Sequence, residues 1–306
     1  MTEIMFGQVL KSERLARASK MGRFLANPYK YLNAIGYRLF FYKKDKKGKL
    51  VKATSFFGAE MKLILPAGTD IYLTGCKSHD SEIRLAKYLL NTLKRGDTFF
   101  DIGAHFGYFS LLGAEIVGIE GKVFSFEASK STFRILSDNI NSYSNIEIYN
   151  QAVSDKKSKL SFYEFPALYS EYNSIEITQF ENTDWYSKNQ PQEIKVEAIS
   201  LSDFVEAKRV NPEVIKIDVE GAEYLVIEGA KELLKNQSPK IILEFLNSTR
   251  KNEAHLKAQR LLELLGYAAF FINKEGRLKR CENIEEYLNF NCLDSDNIIF
   301  QKIGTT

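Results

Sequence analysis

The spacing of apolar and polar positions changes several times along this 306-residue chain, and the changes divide it. Through residues 1–35, Met5, Val9, Leu10, Leu15, Met21, Phe24 and Leu25 recur at roughly helical spacing. That predicts one or two basic helices, ended or interrupted at Pro28. From Tyr37 to Leu73 the pattern becomes strand-like, with short runs at Tyr37 to Tyr42, Leu50 to Phe57, Met61 to Leu65 and Ile71 to Leu73. Ser81 to Leu93 returns to a helix through Ile83, Leu85, Leu89, Leu90 and Leu93, and Gly96-Asp97 closes it. The boundary near residue 95 separates an N-terminal extension, 1–95, from a main domain, 96–306. Beyond it, short apolar strands alternate with helical stretches, which predicts a parallel α/β sheet. The strands end at Asp101, Glu127, Val153, Asp218 and Phe245. The alternation lapses over 155–195, where Leu160 to Glu164 and Ile194 to Ala198 read as strands around an aromatic and polar insertion. A helix from about Glu253 to Leu265, capped by Gly266, precedes two terminal strands at Tyr267 to Asn273 and Asn297 to Lys302.

The strand Phe99-Phe100-Asp101 breaks into a turn carrying Gly103 and Gly107, and a helix starts at once. Such a unit presents a nucleotide-type cofactor to the carboxyl ends of a Rossmann-like sheet. A dinucleotide fingerprint has its second glycine where this chain has His105, whose side chain would crowd a pyrophosphate. S-adenosylmethionine has no phosphate and carries an amino group and a sulfonium, so it suits a turn with Asp101 beside it. Glu127 stands where a carboxylate accepts hydrogen bonds from two ribose hydroxyls. Asn150 to Ala152 offer the backbone N–H and polar side chain that adenine recognition needs. With Asp218, three strand ends bring a carboxylate to one edge of the sheet.

On these residues the chain resembles the FkbM family of S-adenosylmethionine-dependent methyltransferases over about residues 95–245. The resemblance lies in DIGAHFGYFSLL from Asp101, the Phe126-Glu127 strand end, NQAVSD at 150–155, Ala198 to Phe204 and above all IKIDVEGAE at 215–223. The chain departs from the family at His105, usually asparagine, and at Ala128-Ser129, usually proline-asparagine. The resemblance implies a Rossmann-like class I sheet, mostly parallel with an antiparallel last strand, behind an N-terminal α+β extension. It implies cofactor contacts from Asp101, Gly103, Ala104, His105, Gly107, Tyr108, Glu127, Ala128, Asn150, Gln151, Ala152 and Asp218. It also implies O-methylation of a hydroxyl on a glycan or other small-molecule acceptor. Tyr172, Asn173 and Ser174 lie in the insertion, and Asn173-Ser174 resembles a small polar motif of the family. They are read as an acceptor-side lid, with a packed surface loop as the alternative.

A hydroxyl acceptor needs its proton removed, because an alcohol is a poor nucleophile until deprotonated. Asp218 is the first candidate base, His105 the second with an unperturbed pKa of about 6.5, and Glu244 the third. Glu220 and Glu223 read as acidic residues stabilising the first turn of a helix. Asp218, Glu244 and Asn247 are hard oxygen ligands that suit magnesium, although their spacing is not diagnostic.

Composition narrows the setting. Apolar content of 44% and charged content of 26% are those of a globular chain. Cys76, Cys281 and Cys292 are widely spaced and odd in number, which speaks against disulfides or zinc and fits a reducing cytoplasm. No secretory signal and no membrane-spanning apolar run is expected. The net charge of +3 divides into +9 over residues 1–60 and −6 over the remainder. The run Lys43 to Lys49 reads as a solvated turn or as attraction to an anionic surface, either the inner membrane face or a phosphate-bearing, lipid-linked acceptor. A nucleic-acid-associated methyltransferase is a second reading, but the basic segment lacks an interleaved aromatic-basic pattern of the RRM or OB type, and the remainder of the chain is net acidic. A cofactor-binding scaffold without turnover is a third, opposed by the intact Asp101, Gly103, Glu127 and Asp218. A dehydrogenase fits least.

Overall fold

The structure is a computed structural model and describes residues 2–177 and 184–303. The chain opens with α1 (Thr2–Ala16), α2 (Lys20–Ala26) and α3 (Pro28–Gly36). Three helices thus stand where one or two were expected, because Asn27 both ends α2 and caps α3, its side chain accepting from Lys30 N. Tyr37–Tyr42, expected as a strand, is π-helical and continues through α4 (Lys43–Asp45). Gly36 stays in right-handed helical geometry, so nothing breaks α3, and Tyr37 stacks on Phe41 at 6.0 Å. The hairpin of β1 (Lys49–Thr54) and β2 (Glu60–Leu65) follows. Ile71 to Leu73, also expected as a strand, lies in α5 (Thr69–Thr74). Three apolar residues set no period, and the left-handed cap at Gly75 decides the outcome. α6 (Asp80–Thr92) leads into the main sheet.

The sheet elements follow in chain order. They are β3 (Thr98–Ile102), α7 (Tyr108–Val117), β4 (Lys122–Phe126), α8 (Lys130–Ile140) and β5 (Ile146–Tyr149). After an intervening excursion come α10 (Leu201–Lys208), β9 (Val214–Ile217), α11 (Glu223–Gly229), α12 (Lys231–Asn236) and β10 (Lys240–Leu246). α13 (Glu253–Leu264), β11 (Tyr267–Ile272), β12 (Leu278–Arg280), α14 (Ile284–Phe290) and β13 (Ser295–Lys302) complete the chain. The eight strands run β12-β11-β13-β10-β9-β3-β4-β5, parallel from β10 to β5, with β13 antiparallel to both its neighbours. This is the Rossmann-like class I methyltransferase arrangement with an N-terminal extension. β12 and α14 carried no sequence signal, the first being three residues, Leu-Lys-Arg, on an edge.

Alternate residues of the strands feed two cores. Phe99, Val123 and Val214 face α6, α7 and the N-terminal Met5 and Val9, whereas Phe100, Phe124 and Ile215 face α10 to α13. From β3 the chain builds β4 and β5 on one side and later β9 and β10 on the other. That order reversal leaves a crevice beyond the carboxyl ends of the central strands.

The strand expected over 146–153 is divided. β5 ends at Tyr149, and β6 (Ala152–Val153) joins a separate sheet of order β6-β8-β7. β7 (Ser158–Glu164) and β8 (Gln192–Ile199) pair antiparallel, so the expected 155–195 insertion is a hairpin with a long tip. The tip holds a 3-10 segment at Ala167–Tyr172 and α9 (Asp184–Lys188). Residues 178–183 of that insertion lie outside the described residues.

Candidate active site

Register sets the floor of the site. Ile102 pairs with Ile217 and with Phe126, and Ile217 pairs with Leu243. The next residue on each strand is Glu127, Gly103, Asp218 or Glu244, so all four stand in one row. At the usual strand spacing the row spans about 14 Å. Above it lies a cavity of about 320 Å³, roofed by Ser170 to Asn173.

The turn after β3 is held by backbone. Gly103 N and Ala104 N both donate to Phe126 O, at 3.0 and 2.9 Å. Gly103 has φ +80°, and a Cβ there would stand 1.9 Å from the Asp218 carbonyl oxygen, so only glycine fits. His105 N donates to Glu127 Oε2 at 2.9 Å and Ser129 N donates to Oε1 at 2.8 Å. Burial raises the Glu127 carboxyl to about 7 against the pull of these two N–H groups.

Asp101 takes a different place from the one expected. It pairs in register with Ser125 and Lys216, and side chains at one register position share a face of the sheet. Its carboxylate therefore turns under α7 instead of over the strand ends. Ser110 donates to Oδ2 at 2.6 Å, and the Lys216 ammonium lies 3.7 Å from Oδ1. Asp101, Ala104 and Tyr108 line a small cavity of about 20 Å³ beneath the turn, not the main one. Gly107, whose Cβ would meet Leu136 at 2.6 Å, is a packing residue.

Lys216 bonds Asp218 Oδ2 at 2.9 Å. Asp218, Glu220 and Glu244 bring one carboxylate oxygen each within 4.8 Å of one another. Burial opposes the Asp218 charge, but Lys216 and Lys77 outweigh it and hold this carboxyl below the usual range. Burial and then Glu244 push Glu220 well above the usual range. Burial and then Asp218 raise Glu244 to about 8, although Ser295 donates to its Oε1 at 2.8 Å. Of three adjacent carboxyls, one is held toward its charged form and two are pushed toward their protonated forms.

His105 lines the cavity with its Nε2 2.9 Å from Ser170 Oγ. Burial first, then the Lys77 charge, lowers it to about 3, so the ring is neutral and weakly basic. Ala128, Gln151 and Ala152 line the cavity near Glu127. Asn150 instead donates to the carbonyl oxygens of Glu127 and Ala128, at 2.9 and 3.1 Å, and braces that strand end. Tyr172 and Asn173 line the roof. Ser174 is fully buried and donates to Glu220 O at 2.6 Å, so it ties the roof to the turn after β9.

Asn247 does not join the carboxylates. Its Oδ1 accepts from Thr249 N, which caps the 3-10 segment Ser248–Arg250, and its Nδ2 donates to Asn289 Oδ1. Glu220 takes its place. It was expected in a helix first turn, but α11 starts only at Glu223, and Glu220 sits before it with φ +53°. Glu223 does accept from Gly221 N at that helix start. Sequence reading also missed Lys77, Glu82, Glu171, Arg250 and Ser295 in the cavity wall. Lys77 lies 3.1 Å from Glu82 and 3.6 Å from Glu171. Burial works against its charge, but these carboxylates and Asp218 hold the ammonium firmly protonated. None of the five stands in a motif; only Glu220, inside IKIDVEGAE, carried a usable signal.

A family model described as the methyltransferase FkbM domain matches residues 101–269. The chain belongs to the FkbM methyltransferase family. Among curated proteins, none matches it in sequence. A solved FkbM methyltransferase from Methylobacillus flagellatus is similar at 11% identity, over 77% of this chain and 52% of that one, with a TM-score of 0.41. The FkbM chain thus spans about half the length of that relative. A precorrin-6y C5,15-methyltransferase from Geobacter metallireducens is similar at 13% identity, over 73% of this chain and 88% of that one, with a TM-score of 0.38. A third, an S-adenosylmethionine-dependent O-methyltransferase from Thermotoga maritima, has 11% identity over 72% and 64%, with a TM-score of 0.36.

The family is one of S-adenosylmethionine-dependent methyltransferases, and the residues present here fit that cofactor. Each Glu127 oxygen accepts one backbone N–H and keeps a lone pair for a ribose hydroxyl. Gly103 lines the same cavity between Glu127 and Asp218. Bound there, the cofactor supplies an electrophilic methyl group on a sulfonium.

Proposed function

We propose that this FkbM protein methylates a hydroxyl of a polyhydroxylated acceptor, a glycan or other small-molecule natural product. The observation that carries the proposal is the Asp218, Glu220 and Glu244 trio at one end of the cavity, at the level of Gly103. Carboxyl groups accept and donate hydrogen bonds to hydroxyls, and one can take the proton that an alcohol loses. Glu244, raised to about 8, is the proton acceptor, since a base works best when its pKa lies near the operating pH. Asp218, held ionised by Lys216, orients the hydroxyl instead. This ranks Glu244 above Asp218 and above His105, whose ring is spent on Ser170. Glu127, Gly103, Gln151 and Ala152 bind the cofactor, and Lys216 keeps Asp218 charged. Tyr172 in the roof stands against Trp185 at 5.4 Å, and such aromatic faces suit sugar rings.

The test is turnover with hydroxylated acceptors beside calorimetric titration of S-adenosylhomocysteine. Glu244→Gln should lower kcat by about 10²- to 10⁴-fold with product affinity unchanged. Wild-type kcat should rise with pH and level off above about 8, as the Glu244 carboxyl ionises. An unchanged kcat in the variant sinks the assignment. Turnover that a chelator abolishes and magnesium restores would give the trio to a cation instead.

A further inference from the structure

Seven of the fourteen exposed large hydrophobic side chains among the described residues fall within residues 21–41. Met21 is 64% exposed, Leu25 68%, Tyr29 78%, Leu32 63%, Phe40 75% and Phe41 62%. Met21 and Leu25 are four apart on α2, and Tyr29 and Leu32 are three apart on α3, so each pair shares a helix face. The opposite faces are already used. Phe24 packs edge-on against Tyr31 at 5.8 Å, Ala34 is fully buried, and Asn33 donates to the Tyr72 hydroxyl on α5. The outward apolar side chains therefore lie on a buttressed platform.

The wider segment that contains this stretch is strongly basic. Residues 20–49 hold nine Lys and Arg against the single acid Asp45, a net charge of +8. Lys43, Lys44, Lys46 and Lys47 are all exposed. Apolar tips flanked by a cluster of basic side chains suit the boundary of an anionic bilayer. There the apolar groups enter the acyl region and the cations meet lipid phosphates. A second copy would bring an equal +8 against the first, which the charge opposes. With seven and nine residues, α2 and α3 are too short to span a membrane and long enough to lie on one.

We propose that residues 20–47 dock this protein onto an anionic lipid surface. The platform joins the active site directly. The hydroxyl of Tyr42, at the end of the π-helical turn, accepts from Leu168 N at 3.0 Å, in the 3-10 segment that roofs the cavity. Docking therefore holds the cavity roof close to the bilayer. The inference does not depend on which acceptor is methylated.

The test is co-flotation of the whole protein with phosphatidylcholine vesicles, with and without about 30% phosphatidylglycerol. Wild type should float with the anionic vesicles at about 0.1 M salt and be released at about 0.5 M. It should stay unbound with neutral vesicles. Leu25→Glu with Phe40→Glu, and separately Lys43→Glu with Lys44→Glu, should each weaken partitioning by about tenfold or more. All four positions are exposed, and unchanged melting of each variant checks that it is folded. No flotation of wild type, equal flotation with neutral vesicles, or variants that float like wild type would overturn the proposal. So would a dimer by light scattering that Leu25→Glu with Phe40→Glu dissolves, since a second copy would then cover the face.

Discussion

Glu127 sits at the balance point of its environment. Burial lifts its carboxyl to about 7, while two backbone N–H groups favour the charged form. Only the ionised group accepts a hydroxyl proton at both oxygens, so cofactor affinity should follow its ionisation. Calorimetry should find S-adenosylhomocysteine bound about tenfold more weakly at about pH 6 than at about pH 8, where the group is ionised. Glu127→Gln should remove that pH dependence and weaken binding at about pH 8 by about 1.5–3 kcal/mol. Gly103 is constrained by backbone rather than by ligand. Gly103→Ala places a Cβ against the Asp218 carbonyl and adds strain at φ +80°, so denaturant titration should show a loss of at least about 2 kcal/mol. The need for glycine here was legible in the motif. Its cause was not, because the clash comes from a strand more than a hundred residues further on.

At the scale of elements, the Asn139 side chain ties the N-terminal hairpin to the turn after β3. Asn139 on α8 accepts from Lys62 N at 2.6 Å and donates to Lys62 O at 3.0 Å, pairing with the edge of β2 like a strand. It also donates to Phe106 O, in the turn that carries the candidate site. Asn139→Ala leaves these buried backbone groups without partners. It should cost about 2–4 kcal/mol by denaturant titration, more than removing one surface hydrogen bond. The predicted elements that failed share a cause. Tyr37 to Tyr42 and Ile71 to Leu73 are apolar runs too short to carry a period, and the flanking residues decided their form. In the first case Gly36 failed to break a helix, and in the second the Gly75 cap closed one.

Across the whole molecule, the extension and the sheet share one core. Val9 on α1 is fully buried in the same cluster as Leu89 of α6, Phe109 of α7 and Val123 of β4. Val9→Asp puts an unpaired charge there, which should destabilise the protein by about 3–5 kcal/mol. Trp185, the one tryptophan, packs against Tyr172 of the cavity roof at 5.4 Å, so its fluorescence reports on the insertion and not on the Val9 core. Its unfolding transition should shift together with the far-ultraviolet circular dichroism transition. Separate transitions would show that the molecule does not unfold as one unit.

The sequence by itself determined the sheet, the direction of its central strands and the row of residues at their carboxyl ends. Strands buried on both faces read as unbroken apolar runs, and a glycine turn or an acid at the end of such a run is a local signal. Tertiary structure decided which acids meet. Asp101 is turned under α7 by its register with Ser125 and Lys216, while Glu220 enters the cavity through a left-handed turn. Lys77 and Glu82 arrive from the extension by packing alone. Proton affinity in the trio was likewise undecided until three carboxyls and Lys216 were brought together. A charge responds to its neighbours in space, and those neighbours are set by contacts between segments far apart in the chain.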